Sequence, residues 1–283
     1  MYHQRVKLPW HANHRQRRSL DMKDASSYDS DKSENPHYLR NYEEFFEPFI
    51  GKEVKLFELG VGKGGSLLMW RDYFDRGTIV GLDINPVHVD DSTGRIRVYQ
   101  GRQENTALLS RIAQEQAPDG FDIIIDDCSH IGELTRISFW HLFEHHLKPG
   151  GIYAIEDWGT GYWRWYADGR DYRPIRQSAL TRLAAGLHKS ARSLAEHPMA
   201  ARIPRLPSFL RRHAYERRLA SHDYGMVGFV KQLVDECGMG DITHPRWGKG
   251  PHRPSRIARL QISHGHVLIV KSLPVKNSQT EKR

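Results

Sequence analysis

Cysteine is almost missing from this chain, with Cys128 and Cys237 the two in 283 residues. Two thiols without C-x-x-C spacing make neither a disulfide framework nor a cysteine-rich metal site. They fit a reducing compartment, so a cytoplasmic location is expected. Long apolar runs are lacking too: no stretch reaches the ~18 consecutive apolar residues of a membrane span, and residues 1–20 have no apolar centre of a secretory signal. Neither a transmembrane nor an exported protein is expected. With 39% hydrophobic residues the chain still has enough to bury one sizeable core, or a core with an insertion.

Acidic residues are scarce in one region. Between Trp158 and His222 there are 13 Arg and Lys against 4 Asp and Glu, so this segment outweighs the formal charge of +8 carried by the whole chain. The basicity belongs to one insertion and is no general nucleic-acid-binding surface. Within it Leu180, Leu183, Leu187, Ala191 and Leu194 recur at helical spacing, Pro198, Pro204 and Pro207 interrupt, and a second helix is expected over residues 208–219. The segment suits either a solvated cap over a sheet edge or a lid that grips a substrate.

Elsewhere the pattern is regular. After a basic, His-rich start, Tyr38, Tyr42, Phe45, Phe46 and Phe49 predict a helix with an aromatic face. Apolar runs at 54–59, 78–82, 96–99, 121–125 and 152–155 alternate with segments of helical period such as 66–74 and 134–147. This alternation predicts a parallel sheet with helices on both faces. Residues 148–151 read as the turn before the fifth strand, and 256–262 with 266–271 as an antiparallel hairpin. The expected organisation is an N-terminal basic arm and helical cap (1–50), an α/β core (51–157), the basic insertion (158–222), the rest of the core with the hairpin (223–275) and a tail (276–283).

Three stretches carry chemistry. At the first strand-to-helix turn, Phe57 to Ser66 reads F-E-L-G-V-G-K-G-G-S, and Gly60, Gly62 and Gly65 satisfy G-x-G-x-x-G. Such glycines let the backbone approach a nucleotide closely. Asp83, some 20 residues on, is placed to hold ribose hydroxyls, which nicotinamide and adenosylmethionine sites both need. Glu58 favours adenosylmethionine, since a carboxylate there faces the amino-acid end of that cofactor and would repel a pyrophosphate. The second stretch, D-I-I-I-D-D-C-S-H at 122–130, brings Asp126 and Asp127 to the carboxyl end of a buried strand, with His130 just beyond. The third, Glu156 and Asp157, leaves the next strand in the same way. Carboxylates converging on one crevice repel unless a cation sits among them, and oxygen donors suit magnesium or another hard divalent ion. His130 is then free to act as a base. Taken singly, His130 also fits a turn or packing residue, and Glu156 with Asp157 a helix cap.

Together these stretches resemble the metal-dependent class I methyltransferases that act on sugar hydroxyls, a group including mycinamicin-type macrolide sugar O-methyltransferases, mycobacterial polysaccharide O-methyltransferases and cephalosporin-cluster relatives. The resemblance rests on Glu58-Leu-Gly60-Val-Gly62 with Gly64-Gly65-Ser66, on D-D-x-S-H at 126–130, on Glu156-Asp157, and on Ser30-Asp31-Lys32 with His37 and Tyr38 upstream. It implies a Rossmann-like α/β fold: a mostly parallel seven-stranded sheet, helices on both faces and a helical insertion before the C-terminal hairpin. It further implies Asp127, Glu156 and Asp157 as metal ligands, His130 as general base, and Asp83 as the ribose carboxylate. Glu58, Gly60, Gly62 and Ser66 would bind the cofactor, with Gln103 and Asp126 toward it. Two departures stand out. Cys128 replaces a glycine common in relatives, where a thiolate would recruit a softer metal, and 158–222 has no counterpart.

The expected activity is therefore transfer of a methyl group from S-adenosylmethionine, with Mg2+ or another divalent cation, to a hydroxyl of a sugar- or polyol-containing acceptor in antibiotic or polysaccharide biosynthesis. An anionic acceptor suits the basic insertion, and a homo-oligomer is compatible with the sequence. Trp158, Tyr162, Trp163, Trp165 and Tyr166 are suited to stacking on a sugar ring or to filling a lid core. Three rivals remain. A nucleic-acid methyltransferase would use the basic insertion but lacks an N-P-P-Y motif; a cofactor-binding scaffold would dock on a membrane surface through residues 177–196; and an NAD-dependent dehydrogenase would use the same glycine loop.

Overall fold

The computed structural model describes residues 28–30, 32, 36–170 and 222–274. The arm before residue 28 and the two helices expected between 177 and 219 lie outside the described residues. Seven strands form one sheet: β1 (Lys55–Leu59), β2 (Thr78–Asp83), β3 (Ile96–Gln100), β4 (Phe121–Asp126), β5 (Leu147–Glu156), β6 (Ile257–Ile262) and β7 (His266–Lys271). Their order is β3-β2-β1-β4-β5-β7-β6, parallel from β3 to β5, with β7 antiparallel to both β5 and β6. The expected fold class is borne out. This strand order, with its reversed β7, is that of class I methyltransferases.

The central strands are apolar on both sides because both sides are covered. On one face α1 (Pro36–Phe46) and α2 (Gly65–Tyr73) bring Tyr42, Phe46 and Trp70 against Leu56, Ile79, Ile123 and Ile125. On the other, α3 (Thr106–Gln116), α4 (Gly132–His145) and, after the single turn α5 (Ala167–Arg170), α6 (Gly225–Cys237) bring Leu109, Phe139, Phe143 and Phe229 against Phe57, Val80, Ile124 and Tyr153. No helix among the described residues is long and apolar enough to cross a membrane. The strand limits match expectation within a residue or two except at β5, which starts at Leu147. Leu147 pairs with Phe121, and the register then shifts before Ile123 meets Ile152. Residues 148–151 are therefore a bulged opening of the strand and not a separate turn.

Alpha6 is tied to the approach of β6 by one carboxylate. Glu236, 4% exposed, accepts from Arg253 Nη1 and Nη2 at 2.8 and 2.7 Å and from the Arg256 backbone N–H at 3.0 Å. Burial alone would raise its pKa, but hydrogen bonds from Arg253 and Arg256 outweigh it and hold Glu236 well below the ordinary carboxylate range. A carboxylate depressed in this way contributes stability above its unfolded pKa, and that contribution is lost as the pH falls. Both arginines are about two-fifths exposed, so solvent screening keeps the effect of Glu236→Gln to ~2 kcal/mol at neutral pH. Urea denaturation is expected to show that difference at pH 7 and a narrowing gap below about pH 4.

Candidate active site

A cavity of about 530 Å³ opens at the carboxyl ends of β1, β2 and β4, lined among others by Gly60, Gly62, Ser66, Asp83, Gln103, Asp127 and His130. Gly60, at φ 79°, has no room for a side chain: a Cβ there would lie 2.1 Å from the Asp127 carbonyl oxygen. The loop thus passes directly over the end of β4. Asp83 fixes it, its Oδ2 accepting from the Val61 and Gly62 amides at 3.1 Å each and its Oδ1 from Asn85 at 2.9 Å. A carboxylate offers about four lone-pair positions, so Asp83 keeps capacity for a hydroxyl in the cavity.

Two residues expected at the cofactor stand behind the wall instead. Glu58 is fully buried, with Oε2 accepting from the Ser66 hydroxyl at 2.8 Å. Asp126, the last residue of β4, turns toward α4 and accepts from Ser138 and Tyr153 at 2.9 and 3.1 Å. Burial pushes Asp126 up to about 6 against those hydrogen bonds. Gln103 links this layer to the cavity: Nε2 donates to Asp126 Oδ1 at 3.3 Å, and Oε1 accepts from the Ser129 amide at 3.1 Å.

Asp127, Glu156 and Asp157 do gather at the ends of β4 and β5, but in two sets. Ligand atoms of Asp127, His130 and Asp157, all partly exposed, lie within 4.8 Å of one another, and those of Glu58, Asp127 and Glu156, two of them buried, do so as a second group. No such group among the described residues contains both Glu156 and Asp157. The outer set offers two carboxylates, hard donors that fit a divalent cation, with an imidazole beside them. His130 Nε2 is 3.9 Å from Asp127 Oδ1. His130 and Asp157 both adopt left-handed backbone, φ 54° and 51°, just past the ends of β4 and β5.

The inner set holds Lys32, part of the upstream motif but given no role by the sequence. Lys32 is buried with its ammonium among Glu58, Asp127 and Glu156. Burial alone would lower its pKa, yet Asp127, Glu156 and Glu58 together hold it well above the ordinary value. Burial and the Glu156 carboxylate push Asp127 up to about 7 against the pull of Lys32. Glu156 is pushed to about 7 by burial, with Lys32 and Tyr42 opposing. From α1, Tyr42 donates to Glu156 at 2.6 Å and Tyr38 donates to Asp157 Oδ1. The aromatic helix face thus packs the core and also reaches the carboxylates.

A thiolate at Cys128, the form that would recruit a softer metal, is disfavoured, because burial and then the Asp126 and Asp83 carboxylates push its thiol up. Cys128 lines the cavity but joins neither donor group. Of the aromatics after Asp157, Trp158 is structural, its Nε1 donating to the Ser263 carbonyl at 2.8 Å. Tyr166 lies edge-on to His130 at 5.9 Å, and Trp163 and Trp165 are 45% and 75% exposed beside it.

The fold and this crevice define a class I methyltransferase architecture with an acidic, histidine-bearing centre. The chain is related to sugar O-methyltransferases, as the sequence resemblance implied. It is 38% identical over 222 residues to mycinamicin VI 2''-O-methyltransferase of Micromonospora griseorubida, covering 75% of this chain and 50% of that one. To demethylmacrocin O-methyltransferase of Streptomyces fradiae it is 38% identical over 212 residues, 72% and 49% of the two chains. To an 8-demethyl-8-alpha-L-rhamnosyl tetracenomycin-C 2'-O-methyltransferase of Streptomyces olivaceus the figures are 37%, 235 residues, 78% and 57%. The chain thus spans about half the length of these relatives. The structure of MycE methyltransferase in complex with Mg and SAH superposes with a TM-score of 0.61 at 29% identity, over 90% of this chain and 55% of that one. No family model matches.

Proposed function

We propose that this chain transfers a methyl group from S-adenosylmethionine to a hydroxyl of a sugar-bearing small molecule, with a divalent cation, magnesium for preference. The observation that carries the proposal is the convergence of Asp127, His130 and Asp157, the first two of which line the cavity under the glycine loop. A cation bound there supplies positive charge that lowers the pKa of a nearby hydroxyl. Asp127 and Asp157 would hold it from the cavity side, with Glu156 behind them. Gly60, Gly62, Ser66 and Asp83 seat the nucleoside and Gln103 braces the far wall. His130 accepts the hydroxyl proton at its ring nitrogen while the acceptor oxygen attacks the methyl carbon in line, the methyl–sulfur bond breaks with its electron pair going to sulfur, and S-adenosylhomocysteine leaves. The chain's main task is then positioning.

Trp163 and Trp165, exposed beside His130 and Tyr166, offer an apolar platform for the acceptor. The basic insertion follows directly and would select it, an anionic or phosphate-bearing acceptor being favoured by its charge. Calorimetry tests the cofactor: adenosylhomocysteine is expected to bind and NAD not, and Asp83→Ala to weaken adenosylhomocysteine about tenfold by removing charge-assisted hydrogen bonds. Tight NAD binding without adenosylhomocysteine binding would leave a dehydrogenase as the better account.

A further inference from the structure

Lys32 takes no part in the chemistry above, yet its side chain is 1% exposed and its ammonium faces three carboxylates. Nζ donates to Asp127 Oδ2 at 2.5 Å and lies 3.2 Å from Glu156 Oε1 and 3.4 Å from Glu58 Oε1. Asp127 takes the hydrogen bond and the other two carboxylates balance the charge at ion-pair distance, Glu58 Oε1 making no hydrogen bond among the described residues. The segment carrying it is itself held down. Tyr28 donates to Asp72 at 2.8 Å, and the Asp29 carbonyl occupies the space of a Cβ on Gly65, 2.1 Å from that position.

The acidic cluster is therefore divided. Glu58 and Glu156 turn their Oε1 atoms toward Lys32, that of Glu156 also accepting from Tyr42, while Glu58 Oε2 accepts from the Ser66 hydroxyl and Glu156 Oε2 lies 4.0 Å from the buried His266. Asp127 alone is shared. Its Oδ2 points inward to Lys32, and its Oδ1 faces His130. With one oxygen anchored, the other has a fixed direction.

We propose that Lys32 is a positioning residue for the metal site, binding Glu58 and Glu156 as its own counter-ions and turning one oxygen of Asp127 to the cavity. A divalent cation is then offered Asp127 and Asp157 rather than the whole cluster. The inference rests on the proposed cation. Two other roles for Lys32 predict different outcomes: a tethered competitor of the cation would weaken its binding, and a mere charge balance would become dispensable if one carboxylate were neutralised.

Manganese, a hard divalent ion of the kind this donor set suits, gives a readout independent of turnover. Free Mn2+ is titrated by electron paramagnetic resonance against the wild-type protein, Lys32→Met and the double variant Lys32→Met/Glu58→Gln, with circular dichroism checking the fold. The double variant loses one positive and one negative charge, so the inner set keeps its formal charge, and it serves if the single variant does not fold. The Mn2+ dissociation constant is expected to rise at least about tenfold in both, as when a residue orienting a ligand is lost. Equal or tighter binding by Lys32→Met, or wild-type affinity in the double variant, would overturn the role of Lys32. A wild-type protein that binds no Mn2+ would instead remove the cation itself, a separate and visible result.

Discussion

His130→Ala is expected to lower methyl-transfer turnover by at least about 100-fold, the usual contribution of a positioned general base. The residue stands on the cavity wall just past β4, with Asp127 Oδ1 3.9 Å from Nε2 and Tyr166 against its ring. Nothing in that placement touches Asp83 or the glycine loop, so adenosylhomocysteine affinity should change by less than about twofold. The loss belongs in kcat, because proton removal is felt in the transition state alone. A pH profile adds a second check. A base acts by taking up the hydroxyl proton, so the deficit of the alanine variant is expected across the pH range. Near-normal turnover of His130→Ala across the pH range would mean that the proton leaves by another route.

Removal of divalent metal is expected to have a larger effect, taking turnover to background, a fall of about 1,000-fold or more, with recovery on adding magnesium. Asp157→Asn should raise the magnesium needed for half-maximal rate about tenfold, since one charge leaves the outer set. Asp127→Asn should raise it further, because that carboxylate serves both the cavity and Lys32. Thermal melts report the same site without catalysis: a ligand that binds only the folded chain raises the midpoint, and the increment should shrink in both variants. Full activity in excess chelator, after metal analysis has verified removal, would leave the acidic cluster as a structural ion-pair network around Lys32.

Much of this was legible in the sequence, for identifiable reasons. Strands buried on both faces write continuous apolar runs, and β1, β2 and β4 were found at nearly their true limits. The glycine loop and D-D-x-S-H are local motifs, so the sequence alone places Asp127, His130 and Asp83 at strand ends. What was not legible depends on distance along the chain. Lys32 meets Asp127 across 95 positions, and no periodicity around residue 32 marks it as the cation that the converging carboxylates call for. Glu58 and Asp126 look like their neighbours in the motifs; only the packing of Ser66, Ser138 and Tyr153 around them shows that they stand one layer back. The bulged start of β5 is hidden for the same reason, as two glycines read locally as a turn. Burial, which drives the Cys128 thiol away from ionisation, is equally invisible in a single sequence.

Among the described residues, the two non-glycine positions with left-handed backbone are His130 and Asp157, one at the end of β4 and one at the end of β5. Each such conformation costs about 1 kcal/mol or more, which the rest of the fold must offset. Glycine at either position would release that cost and take away the functional group with it. Heat resistance and turnover are therefore opposed at these two residues in particular. A laboratory selection for thermal survival alone would find easy gains there and return a tougher, inert protein, whereas the packed helices on either side of the sheet can be improved without touching the chemistry.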